Sequence, residues 1–305
     1  MAARIAIGPS SFGEADAAPI AALRAAGVEI VPNPFGRRLS EDEIIKHLAG
    51  ADGLIAGLEP LNRRVLGSAA PRLRAIARVG IGMDNVDLTA AAELRVRVSN
   101  TPEEPANAVA ELVVAALLAI GRELVPTNDA MHRGEWKKCI GSGVAGLTVL
   151  LVGYGRIGRR VGDLLRPFGV AILVADPFVG ADTLLHGERH VGLEEGLAQA
   201  DVVSLHAAGK TTLLGPDQFA RLKPGAVLLN SARGELVSET ALCEALDAGR
   251  VRGAWCDVFA QEPYSGALLR YPQVLLTPHV GTYTAQCRRD MELAAVRNLL
   301  RDLSE

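Results

Sequence analysis

An apolar run, Val149-Leu150-Leu151-Val152, leads straight into Gly153-Tyr154-Gly155-Arg156-Ile157-Gly158, and Asp176 lies eighteen residues beyond the last glycine. The order reads as a buried strand, a Gly-x-Gly-x-x-Gly turn and the start of a helix. That is the arrangement of a dinucleotide-binding βαβ unit. Gly153 permits the tight turn, Gly155 lets the backbone approach a pyrophosphate, and Gly158 lets the helix lie close on the strand. The helix N-terminus then faces the phosphate charge. Asp176 closes the next apolar run, Val170 to Ala175. A carboxylate there accepts hydrogen bonds from ribose hydroxyls and repels a 2′-phosphate, so the cofactor indicated is NAD rather than NADP. Three glycines alone occur in ordinary turns; strand, glycines, helix and spaced acid together are far more specific. The fingerprint starts near residue 150, so a unit of domain size precedes it.

A chain of 305 residues can hold two domains of ordinary size, each with a core. Its 49% hydrophobic and 22% charged residues fit a globular protein, and a net charge of −3 without blocks of like charge argues against electrostatically driven nucleic-acid or membrane-surface binding. Cys139, Cys243, Cys256 and Cys287 form no Cys-x-x-Cys pair and fit no zinc spacing, so reduced thiols and no metal are expected. The N-terminus reads as a short strand, not a signal peptide, and the longest apolar stretch, Leu112 to Ile120, is too short to span a bilayer. A cytoplasmic location is the expectation.

The first hundred residues alternate between strand-like and helix-like patterns. Strands are expected at Ile5–Gly8, Val28–Val31, Leu54–Ala56, Arg74–Val79 and Arg95–Val98. A helix over Ala15–Ala26 stops at Gly27, and Ser40-Glu-Asp-Glu43 is a capping box for another that runs to about Ala49. Pro105 to Ile120 reads as one long helix, apolar nearly all round and hence buried, joining this unit to the next. A second series follows, with strands at 147–152, 170–175, 201–205, 226–230, 252–256 and 273–276. Alternation of this kind predicts α/β architecture with two parallel, Rossmann-like sheets. Thr284 to Leu303 has helical apolar spacing and is expected to return to the first unit. The division expected is 1–100 plus 284–305, and 101–283.

Three side chains follow predicted strands downstream of the fingerprint: Arg233 in Leu229-Asn-Ser-Ala-Arg-Gly234, Glu262 in Asp257-Val-Phe-Ala-Gln-Glu-Pro263, and His279 in Leu276-Thr-Pro-His-Val-Gly281. Ligands bind beyond the carboxyl ends of parallel strands, so all three belong to the same edge as the fingerprint turn. Arginine offers a planar fork for a carboxylate. Histidine, with an ordinary pKa of about 6.5, exchanges a proton near neutrality. An adjacent carboxylate orients it and favours its protonated form. With a hydride carrier, these parts suit interconversion of a 2-hydroxy acid and a 2-oxo acid. Taken singly, Arg233 reads as a surface ion-pair residue, Glu262 as a turn residue and His279 as a loop histidine; their common placement carries the catalytic reading. His206, after Val202-Val-Ser-Leu205, lies near the cofactor or is structural. His47, His132, His186 and His190 read as solvated or packed.

Nearly the whole chain resembles the NAD-dependent D-isomer-specific 2-hydroxyacid dehydrogenase family, most closely its D-3-phosphoglycerate dehydrogenase branch. The resemblance rests on Arg78-Val-Gly-Ile-Gly-Met-Asp-Asn-Val-Asp87, Asn100-Thr-Pro102, Val109-Ala-Glu111, the fingerprint with Asp176, and the segments around Arg233, Glu262 and His279. It implies that Arg233 binds the substrate carboxylate and polarises the oxo group, that His279 is the acid/base and that Glu262 is its partner. It further implies that Asp257 lies near the nicotinamide amide, with Ala232 and Gly281 also against NAD, and that Val79 and Gly80 offer backbone amides to the carboxylate. A cleft between the two domains, and a homodimer joined through the cofactor domains, follow from the same resemblance. Trp136 matches a segment that packs at that dimer interface.

The chain departs from the family in several places. After His206 it continues Ala-Ala-Gly-Lys210-Thr-Thr rather than through a Pro and a Thr-rich loop. The loop after the third strand, Ala56-Gly-Leu-Glu-Pro60, lacks the Arg-Ser of relatives that bind phosphorylated substrates, and Glu103 and Glu104 replace small residues. Glutamates at these positions, if they face the cleft, would disfavour an extra anionic group on the substrate. The chain ends soon after its last helix, so appended regulatory domains are not expected. Two other readings use the same features: an NAD(H)-sensing, corepressor-like binding protein, and a dehydrogenase of a non-carboxylate substrate such as phosphite.

Overall fold

The structure is a computed structural model that describes residues 2–184 and 186–305. The chain divides into two compact units, Met1–Pro105 with Thr282–Glu305, and Ala106–Gly281. The division expected at 100/101 and 283/284 falls a few residues away, because the second unit's packing begins with the first turn of the helix Pro105–Gly121.

The first unit holds five parallel strands, β1 (Arg4–Ile7), β2 (Glu29–Val31), β3 (Gly53–Ala56), β4 (Ala75–Arg78) and β5 (Arg97–Ser99), in the order β2-β1-β3-β4-β5. One core layer joins Leu54, Ile76 and Leu39 with Ile44, Leu48 and Leu66 of the covering helices. The helix Glu41–His47 starts where expected, with the Ser40 N–H donating to Glu43 Oε2 at 2.8 Å. The helix Ala18–Ala25 starts later than expected, because Asp16 Oδ1 accepts the Ala18 N–H at 2.7 Å and makes a turn of the preceding residues. The C-terminal helix Ala285–Ser304 packs on β3, β4 and β5 of this sheet. Gly53 makes room for it: a Cβ there would stand 3.1 Å from the Leu299 side chain.

The second unit holds seven parallel strands, β6 (Thr148–Val152), β7 (Ala171–Ala175), β8 (Arg189–His190), β9 (Val202–Leu205), β10 (Ala226–Asn230), β11 (Val251–Cys256) and β12 (Val274–Leu276). Their order is β12-β11-β10-β9-β6-β7-β8. Strand order reverses between β6 and β9, and the carboxyl ends flanking such a switch point form a ligand crevice. The central strands β6, β9, β10 and β11 are largely buried on both faces. One face packs under Phe219, Leu242 and Leu246; the other under Val109, Val113 and Leu117 of the helix Pro105–Gly121. Each large side chain so buried contributes about 1.5–3 kcal/mol. The edge strand β8 and the helix Leu124–His132 were not expected from the sequence. Among the described residues, no helix is long and apolar enough to cross a membrane.

Candidate active site

The fingerprint turn follows β6 and lies against the segment that follows β9. Gly153 has φ of +92°, and a Cβ on it would come within 2.6 Å of the Ala207 amide nitrogen. Gly158 lies on the Gly153 carbonyl with no space for a side chain. Gly155 is different: it precedes the helix Arg156–Leu165, and open space surrounds the position of its missing Cβ. The two outer glycines are thus required by the protein's own packing, and the middle one leaves room at a helix N-terminus. That is a fit for a dinucleotide pyrophosphate. Asp176, one residue past β7, accepts the Tyr154 N–H on Oδ2 at 2.7 Å and the Phe178 N–H on Oδ1 at 2.9 Å, so the acid is tied to the turn it was expected to serve.

The side chain of Tyr154 points inward. Its hydroxyl donates to Glu188 Oε1 at 3.0 Å, Arg166 reaches the same oxygen at 2.6 Å, and the Arg159 guanidinium lies 4.7 Å over the ring. Burial pushes the tyrosine hydroxyl up to about 12, and the hydrogen bond to Glu188 adds to this. Burial would raise the Glu188 carboxyl, but its backbone bonds and those from Arg166 and Tyr154 outweigh it and hold the group down to about 2. Ile157 packs into the core below the turn. His206, just past β9, has Nε2 2.8 Å from Ser204 Oγ, while its Nδ1 is buried without a hydrogen-bond partner. The ring is enclosed although the residue as a whole keeps partial exposure, and burial pushes its pKa down to about 3. It is a neutral imidazole.

Past β10 the buried Asn230 shapes the Arg233 segment: its Oδ1 accepts the Ala232 N–H at 3.1 Å and its Nδ2 donates to the Arg233 carbonyl at 2.9 Å. Arg233 donates from Nη1 to the Ala232 carbonyl at 2.7 Å. Gly234 then lies directly on the Phe259 and Ala260 backbone, with no space for a Cβ. Past β11, Glu262 folds back so that Oε1 accepts the Phe259 N–H at 3.1 Å, and its other oxygen lies 3.0 Å from His279 Nδ1. His279, past β12, has φ of +55°. Glu262 and His279 are therefore in direct contact, and Gly234 brings the Arg233 segment against the Glu262 segment.

Asp257 is almost wholly buried, and its carboxylate accepts from Thr277 Oγ1 (2.6 Å), the Val280 N–H (2.9 Å) and the Gly281 N–H (2.8 Å). Asn230 and Thr277 had no role in the sequence reading. A polar residue at the last position of an apolar strand was the available signal for Asn230; for Thr277 there was none.

In the first unit, the expectation for Val79 and Gly80 is corrected. The Val79 N–H donates to the Ala56 carbonyl and the Gly80 N–H to Thr101 Oγ1, each at 2.8 Å, so neither amide is presented to a ligand. Both partners lie outside the motif. The loop without a cation folds its acid inward: Glu59 is 1% exposed, accepts the Gly57 N–H, and fills the space over Gly8 between the ends of β1 and β3. Burial raises its pKa. Among the described residues, no group of three His, Cys, Asp or Glu side chains is placed to hold a metal ion.

Residues 114–281 match the family described as D-isomer specific 2-hydroxyacid dehydrogenase, NAD binding domain. The D-3-phosphoglycerate dehydrogenase of Mycobacterium tuberculosis is 37% identical over 256 residues, which cover 81% of this chain and 48% of that protein. The chain thus spans about half the length of the mycobacterial relatives it matches. The glyoxylate reductase of Thermococcus litoralis is 34% identical over 252 residues, 76% of this chain and 74% of that one. Among solved structures, the TT0316 protein from Thermus thermophilus superposes with a TM-score of 0.89 at 35% identity, covering 99% of this chain and 97% of that one.

Proposed function

Because the chain belongs to the D-isomer-specific 2-hydroxyacid dehydrogenase family, we propose that it is an NAD-dependent oxidoreductase interconverting a D-2-hydroxy acid and its 2-oxo acid. The observation that carries the reading is the 3.0 Å contact between His279 and Glu262, with the Arg233 segment pressed against the Glu262 segment at Gly234. Residues of the fingerprint turn, Asp176 and His206 would hold the dinucleotide, which supplies or accepts the hydride when bound. In the reducing direction His279 gives a proton to the oxygen at C2 as that carbon gains hydride, and in the oxidising direction it takes the proton back. Glu262 holds the ring by Nδ1, which directs Nε2 toward the substrate. Arg233 forms a forked, charge-assisted contact with the carboxylate and withdraws electron density from the oxo group.

The substrate we propose is a small, unphosphorylated acid. Its support is Glu59, which puts a buried carboxyl where a phosphate-binding loop would need a cation. The test is a panel of 2-oxo acids assayed by loss of NADH absorbance, with glyoxylate, pyruvate and 3-phosphohydroxypyruvate as separate arms. Fastest turnover of the phosphorylated acid would overturn the substrate reading, and no turnover of any oxo acid, with cofactor instead changing self-association, would favour a sensor.

We also propose a homodimer through the Ala106–Gly281 unit, in a cytoplasmic setting suited to four free thiols. The dimer is supported by Trp136 and Ile140, exposed at 82% and 98%.

A further inference from the structure

A chain of three side chains ends on the segment that carries His279. Trp255, fully buried in β11, donates its indole N–H to Thr277 Oγ1 at 2.9 Å. An indole nitrogen can only donate, so the Thr277 oxygen receives there and must direct its own hydrogen elsewhere. That hydrogen goes to Asp257 Oδ1, 2.6 Å away, a length typical of a hydroxyl donating to a carboxylate. The same Oδ1 accepts the Val280 N–H and Oδ2 accepts the Gly281 N–H. One buried carboxylate therefore pins the backbone immediately after His279 and the side chain two residues before it.

His279 needs such a hold. At φ +55° a non-glycine residue is strained by on the order of 1–3 kcal/mol, and it keeps that conformation only where its surroundings over-determine it. The local bond from the His279 N–H to the Thr277 carbonyl, 3.0 Å, closes a turn but does not fix the turn to the sheet. The Asp257 bonds do, and they fit tightly: a Cβ on Gly281 would stand 3.1 Å from Asp257 Oδ2.

We propose that Thr277 is a positioning residue for His279: its hydroxyl, oriented by Trp255, locks Asp257 to the Thr277–Gly281 segment and so fixes the imidazole against Glu262. The proposal rests on the reading of His279 as the proton-transfer residue. It attributes to Thr277 an effect on turnover rather than on binding.

The experiment compares Thr277→Val, which removes the hydroxyl at nearly constant volume, with Thr277→Ser, which keeps it. Displacing a reacting group by about 1 Å costs roughly 10²-fold, so kcat of the Val variant should fall by about that factor. KM for the oxo acid and Kd for NADH, read by fluorescence, should stay within about threefold of wild type, and the Ser variant should recover most of the turnover. A Val variant with wild-type kcat, or a Ser variant as slow as Val, overturns the proposal. Should the Val variant fail to fold, Trp255→Phe decides the matter: lower kcat with NADH binding intact supports the role, and unchanged kcat refutes it. His279→Asn is run alongside. Wild-type turnover in that variant would sink the catalytic reading itself, whereas its collapse beside an unaffected Thr277→Val sinks only the positioning role.

Discussion

Glu262 Oε2 and His279 Nδ1 stand 3.0 Å apart although seventeen residues separate them in the chain, and the histidine reaches its partner from a left-handed backbone. Engagement of Nδ1 leaves Nε2 as the ring atom that the proposed proton transfer would use. General acid–base catalysis contributes typically 10²–10⁴-fold, so His279→Asn should lower kcat by about that factor with NADH affinity retained. Glu262→Gln should give a smaller loss, since the amide still holds the ring. Steady-state rates with an active oxo acid check both; equal losses in the two variants would mean that Glu262 does more than orient.

Arg233→Ala should remove transition-state stabilisation of on the order of 3 kcal/mol, read from kcat/KM. Arg233→Lys should restore only part, because an ammonium cannot make the forked contact. Full recovery by lysine would reduce the role of Arg233 to simple charge.

Asp176 should set the cofactor preference. The wild-type protein is expected to use NADH in preference to NADPH, and Asp176→Ser should narrow the ratio by removing the charge that repels a 2′-phosphate. The same change removes the acceptor of the Tyr154 N–H, so some loss with NADH itself is expected. An unchanged ratio would show that the discrimination lies elsewhere.

His206 predicts a particular acid sensitivity. Its folded pKa, about 3, lies below its ordinary value, so between those limits the unfolded chain binds the extra proton. Stability should rise with pH through that window and level off above about 6.5, and at pH 5 the residue should cost roughly 2 kcal/mol relative to neutral pH. Urea melts of the wild type and His206→Gln at pH 5 and pH 7 test this. Parallel losses in the two proteins would show that another group is responsible.

Trp136→Glu should convert the proposed dimer to a monomer, measured by sedimentation or light scattering at micromolar concentration. A wild-type protein that is already monomeric there would dispose of the interface.

Much of this was legible in the chain because parallel strands buried on both faces write themselves as short apolar runs bounded by glycine or a charged residue. β6, β10 and β11 were placed within a residue of their observed bounds. β8 escaped because Arg189 and His190 are polar and exposed, and only edge pairing with β7 makes them a strand. The helix Leu124–His132 escaped because the break before it is a left-handed Glu123, φ +50°, at a residue type that gives no warning of one. The pairing of Glu262 with His279 could be anticipated from motif order. The locking of Asp257 by Thr277 could not, and neither could the capture of the Val79 and Gly80 amides by Ala56 and Thr101, because such bonds join segments that the chain keeps apart.

Gly234 carries a consequence for how the protein can change. With the Phe259 and Ala260 backbone lying directly on it, the Arg233 loop and the Glu262 loop share one surface with no slack. Neither can be exchanged alone for the corresponding loop of a relative. A graft that alters the path of residues 259–262 must bring its own residues 230–234, so these two stretches form a single inheritable module.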